Sequence, residues 1–191
     1  MTLFVVGLVL FLGIHSIAIV APDWRQRTMG RIGLRAWKGT YTVISLLSFG
    51  LMVYGYGLAR QDPVLIYTPP LWMRHLTLLL MIPVFPLVHA AYLPGRIKAT
   101  LRHPMLVAIK VWALAHLLAN GMLADLLLFG GFLAWAVADR ISFKRRTQPD
   151  LRTAPPSKYN DLIAIVTGLI AYAIFAKWLH LLFVGVYPLP F

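Results

Sequence analysis

Six apolar stretches of about membrane-spanning length, joined by connections that alternate between basic and nearly neutral, constrain this chain more than anything else in it. The pattern predicts helices over 3–21, 39–58, 75–93, 104–119, 123–137 and 160–183. Roughly 20 helical residues cross a bilayer core, so the short fourth and fifth are expected to form a snug hairpin about a tight turn at Asn120-Gly121-Met122, or to tilt little. The connections after the first, third and fifth stretches carry five, three and six Lys or Arg, against two and none after the second and fourth and none in the tail. Basic loops stay in the cytoplasm. The expected fold is therefore an all-α, polytopic membrane bundle of six transmembrane helices, a single domain over 1–191, with both termini outside and the basic loops on the cytoplasmic side.

Composition agrees with that class. Of the 191 residues, 60% are hydrophobic and 13% charged, too little polar surface for a soluble domain of this length. A net charge of +12 would suit nucleic acid, but the cations lie between apolar runs and not along one face, so the lipid bilayer is the expected partner. Without cysteine there are no disulfides, iron–sulfur clusters, thiolate-ligated haem or covalent haem attachment. The first apolar run has no Lys or Arg before it and no small-x-small cleavage site, so it is expected to remain as a membrane helix. Gly50, Gly55 and Gly57 on the second helix are expected to let another helix, or a flat ligand, come close.

The stretch Arg102–Gly121, which opens on Arg102-His103-Pro104, holds Lys110, Trp112 and His116 in an otherwise apolar helix. Lys110 is read as snorkelling to the headgroups. Single buried histidines often only hydrogen-bond between helices, but here His15, His89 and His116 lie within spans and His75, His103 and His180 near span ends. Neutral imidazole is the usual ligand of b-type haem iron, and His116 is the leading candidate. At 3.6 residues per turn its face carries Met105, Ile109, Trp112, Ala113 and Asn120, with small Ala113 leaving room for a flat ring. The spacing also permits a two-haem arrangement that sets His75 beside His116 and His89 beside His103. A non-enzymatic scaffold or assembly factor stays open as well. No paired carboxylates, nucleophile elbow or phosphate loop appears.

The run Arg102-His103-Pro104, Trp112-Ala113-Leu114-Ala115-His116 and Asn120-Gly121, together with His15-Ser16, resembles the NnrU family of bacterial membrane proteins linked to nitric oxide and nitrite metabolism in denitrifiers. Through it the chain is similar to ζ-carotene isomerase, a haem b-dependent membrane enzyme. The resemblance covers nearly the whole chain and is strongest over 95–145. It implies one haem b per chain with His15 and His116 as axial ligands, His75, His89 and His103 being alternates. It also implies either redox-dependent cis-trans isomerisation of an apolar polyene or a nitric oxide-linked role. Ala113 stands where the isomerase has a cysteine that exchanges as ligand on reduction.

Overall fold

The computed structural model describes residues 1–145 and 153–188; Arg146 and Arg152 of the last basic connection and the end of the tail lie outside the described residues. Helices account for nearly all of it: α1 (Thr2–Val20), α2 (Pro22–Ile32), α3 (Leu34–Ala59), α4 (Leu71–Met81), α5 (Val84–Ala90), α6 (Arg96–Leu101), α7 (Pro104–Ala119), α8 (Leu123–Ser142), α9 (Asn160–Ile174) and α10 (His180–Val184), with a π-helical turn over Phe175–Leu179 between the last two. Four segments are long and apolar enough to cross a membrane: Thr2–Val20, Leu34–Ala59, Leu71–Ala90 and Asn160–Val184. α7 is apolar but only 16 residues long. The 20 residues of α8 include Asp125, Asp139 and Arg140.

The chain forms two compact units, Met1–Tyr67 with Gly121–Thr147 and Thr68–Asn120 with Gln148–Phe191. In the first, α1 packs along α3 and also against α8. Phe4, Leu8, Met52, Ala59 and Ala124 are buried there, with Tyr56, Leu128 and Phe132 against them. A Cβ on Gly7 would run into the backbone of Met52, and one on Gly55 into the backbone of Phe4. Gly50 and Gly57 face open space. Of the three glycines expected to admit a close neighbour, Gly55 alone does so, because it alone turns toward α1.

In the second unit α7 packs on α4 and α5, and α9 on α5. The third apolar stretch breaks at Ile82-Pro83, since proline supplies no amide hydrogen and its ring crowds the preceding turn. Pro86 follows at the start of α5, and Gly168 of α9 lies directly against its nitrogen and Cα.

Several boundaries differ from the sequence expectation. The helix of the second apolar stretch begins at Leu34, five residues before 39, and that of the fifth stretch continues to Ser142, beyond 137. Part of the basic connection after the first span is itself a helix, α2, started by Pro22 with Asp23 in its first turn and carrying no buried residue. It ends at Gly33, where φ of +83° selects glycine because a Cβ is strained there. Around residue 121 the backbone is extended and not a tight turn: Asn120 has φ −130° and ψ 128°. The Gly121 carbonyl accepts from the amides of Ile66 (2.9 Å) and Tyr67 (3.2 Å), and the Leu123 amide donates to Val64 (2.8 Å).

Apolar side chains crowd the outer faces: Val9, Leu47, Leu162 and Leu182 are 63, 70, 59 and 73% exposed, as lipid contact requires. Three hydroxyls are satisfied by their own helices. The hydroxyls of Ser16, Ser48 and Thr167 donate to the carbonyls of Leu12, Ile44 and Ile163, four residues back, at 2.7, 2.7 and 2.6 Å. That habit lets a hydroxyl sit in hydrocarbon without a partner helix.

One loop is fastened by charge. The Asp161 carboxylate accepts from the amides of Arg96 (2.8 Å) and Ile97 (3.1 Å) at the start of α6, and Asn160 donates from its side chain to the carbonyls of Pro94 and Pro155. A cap of this type is worth ~1 kcal/mol. Asp161→Ala is expected to raise hydrogen exchange of the 96–101 amides about fivefold while the 104–119 amides keep their protection; equal protection in the variant would show that the cap does not hold α6.

Candidate functional site

The histidines within the spans share one local device. Nδ1 of His15 lies 2.7 Å from the Phe11 carbonyl, that of His89 2.8 Å from Phe85, and that of His116 2.9 Å from Trp112. A carbonyl oxygen only accepts, so each Nδ1 carries a proton and donates it to that carbonyl. A backbone carbonyl on the far nitrogen is the usual support of a metal-bound imidazole, fixing ring orientation and tautomer. In every case the residue one turn earlier is also aromatic, a signal that helical-face counting met only at Trp112 beside His116.

His15, on α1 of the first unit, sits in an aromatic setting. The Phe11 ring lies over it at 4.2 Å and 32°, Tyr41 meets it at 5.3 Å, and Trp135 stands edge-on at 6.2 Å and 86°. The indole Nε1 of Trp135 is buried with no acceptor, a donor awaiting a group that brings one. His15 also lines a cavity of about 350 Å³ with Arg25, Trp37, Lys38 and Tyr41.

His116, on α7, belongs to the second unit. Its ring centroid is 5.4 Å from that of Trp112, and its backbone carbonyl accepts from the Asn120 side chain at 2.8 Å. Asn120 thus reaches back to its own helix. Ala113 and Ala115 are fully buried, and Thr77 of α4 donates to the Ala115 carbonyl at 2.8 Å, tying the two helices together beside the histidine. His89 lies in the same unit on α5. His75 is exposed on α4, and the His103 carbonyl receives the first amides of α7 from Leu106 and Val107. The Nδ1 of His180 donates to the Val186 carbonyl at 2.7 Å.

Among the described residues no three His, Asp or Glu side chains gather as a metal cage. The donor chemistry instead fits a group that brings most of its own ligands and asks the protein for imidazole nitrogen, apolar walls and a few polar contacts. A haem is such a group, and the residues around His15 suit it: a helix-anchored imidazole, flanking aromatic rings and a buried unpaired N–H. Sequence reasoning named His15 and His116 but not Tyr41 and Trp135, whose rings meet that of His15 from α3 and α8 and which carry no motif.

Four segments long and apolar enough to cross a bilayer, with large apolar side chains on their exposed faces, are the features of an α-helical membrane protein. Residues 3–188 match the model of the family described as NnrU protein, so the chain belongs to the NnrU family. No curated protein and no solved structure matches it.

Proposed function

We propose that this NnrU-family protein binds haem b, with His15 and His116 supplying imidazole to the iron, and acts in nitric oxide or nitrite metabolism at the bacterial plasma membrane. In this reading the six apolar stretches all span the bilayer, α7 and α8 included, with the basic connections cytoplasmic and both termini outside. The carrying observation is the backbone anchoring of Nδ1 in both His15 and His116, the arrangement that orients an imidazole for binding a metal through its other nitrogen. When bound, the haem would supply one-electron chemistry. The chain's own residues hold the imidazoles in one tautomer, keep water away through aromatic and aliphatic walls, and offer the Trp135 N–H to a polar edge. Ala113 favours this reading over isomerisation of an apolar polyene, because no thiolate stands where the isomerase has its exchangeable ligand.

The purified full chain is expected to show a Soret band and one haem per chain by pyridine haemochrome. His15→Ala and His116→Ala should each remove most of that band, and His75→Ala should leave it. A chain that folds but shows no Soret band after haem supplementation would refute haem binding. Two haems per chain, lost on His89→Ala or His103→Ala, would establish the two-haem arrangement instead. His89 gives that alternative some footing, since its ring is anchored in the same way.

A further inference from the structure

The cavity beside His15 has a charge imbalance that haem ligation does not use. It lies within the first unit, where the end of α1 (Ile14, Ile17), α2 (Arg25) and the beginning of α3 (Trp37, Lys38, Tyr41) converge. Arg25 is half-buried, its guanidinium carbon 6.0 Å from the centre of the Trp37 ring, and Trp24 braces that ring edge-on at 5.9 Å. The arginine is therefore held in place and not left to wave in solvent. Among the described residues neither Arg25 nor Lys38 makes an ion pair with a carboxylate. A partly desolvated guanidinium against apolar walls is costly until an anion meets it, and its planar fork suits the oxygens of a phosphate or carboxylate. α2 itself buries no residue and carries Arg25, Arg27 and Arg31, the composition of a helix lying at a membrane surface.

We propose that this cavity is an oxyanion site for a membrane amphiphile: Arg25 and Lys38 hold the acidic head, and Ile14, Ile17 and the Trp37 face receive the start of its apolar body. Two sources have this chemistry, the phosphodiester of an anionic phospholipid and the carboxylate arms of a ring seated on His15. The cavity's charge and position stand apart from the haem reading, and the lipid source survives if that reading fails.

The test uses the full chain, delipidated in neutral detergent and then offered dioleoyl-phosphatidylglycerol, dioleoyl-phosphatidylcholine or haemin separately. Wild type should retain phosphatidylglycerol over phosphatidylcholine by native mass spectrometry. Arg25→Gln with Lys38→Gln should cut that retention about tenfold, the loss expected from a charge-assisted contact. Arg27→Gln with Arg31→Gln, removing the same charge from the same helix away from the cavity, should leave it within about twofold. If instead haem retention falls in the cavity variant and lipid retention does not, the head group is the carboxylate of the ring and the oxyanion site stands. Equal loss of lipid in both variants, or unchanged retention of lipid and haemin in the cavity variant, overturns the proposal. Should the double variant fail to fold, Arg25→Lys serves: loss of the fork with its charge kept should weaken retention severalfold, and no change would count against the site.

Discussion

Gly55→Val is expected to disrupt the first unit, lowering its stability by about 3 kcal/mol or more. The estimate begins from the ~1–3 kcal/mol typical of overpacking a core that can still adjust. Here adjustment is denied, because the new Cβ meets the backbone nitrogen and Cα of Phe4 and not the tip of a side chain. α1 and α3 must therefore separate, and separation withdraws Phe4 and Leu8 from Met52. Gly7→Ala attacks the same crossing from the other helix, against the backbone of Met52, and should give a similar loss. Gly50→Val and Gly57→Val add the same bulk to the same helix where nothing lies within 4 Å, and are expected to be silent. The measurement is the temperature at which half of the detergent-solubilised chain leaves its monodisperse size-exclusion peak. A Gly55→Val midpoint matching that of Gly57→Val would show that the close crossing is not a determinant of the fold.

Those glycines mark where the sequence stops being readable. An apolar stretch announces a helix because its backbone must satisfy itself in lipid, and the described residues are mostly helical, with four segments long and apolar enough to cross a membrane. Which side of a helix meets another is a different matter. In soluble proteins a polar face points outward, but lipid-facing and core-facing residues here are both apolar: Val9 is 63% exposed and Leu8 7%, in adjacent positions. Gly50, Gly55 and Gly57 look alike for that reason, and only packing separates them. The broken third helix was legible, since Pro83 and Pro86 act through covalent geometry. The extended pairing of Gly121 with Ile66 and Tyr67 was not, because it depends on a segment more than 50 residues earlier in the chain. Among site residues, His15 and His116 could be found as rare imidazoles in apolar runs. Arg25 and Lys38 were read only as topological charges, since nothing local says that Trp37 orients the arginine into a cavity.

Tyr56 and Asp125 carry the second large effect, and its sign depends on how many partners are removed. The Tyr56 hydroxyl donates to the Asp125 carboxylate, which is 3% exposed on α8, and Arg60 lies 5.9 Å from the centre of the tyrosine ring. Tyr56→Phe keeps the ring and its packing but leaves a buried carboxylate short of its donor, at an expected cost of ~2–3 kcal/mol for a hydrogen bond to a charged group. Asp125→Leu alone strands the phenol, a neutral group, and should cost less, ~1–2 kcal/mol. Replacing both, Tyr56→Phe with Asp125→Leu, leaves neither group stranded, and paired apolar replacements of buried polar groups are often close to neutral. The double variant is therefore expected to be more stable than Tyr56→Phe alone, within ~1 kcal/mol of wild type, measured by the same thermal assay. Additive losses would mean that the carboxylate answers to some group other than the phenol, and that α8 is fixed to α3 by packing without this bond. Recovery in the double variant would mean that the phenol and the carboxylate answer to each other, and that apolar packing holds α8 in their place.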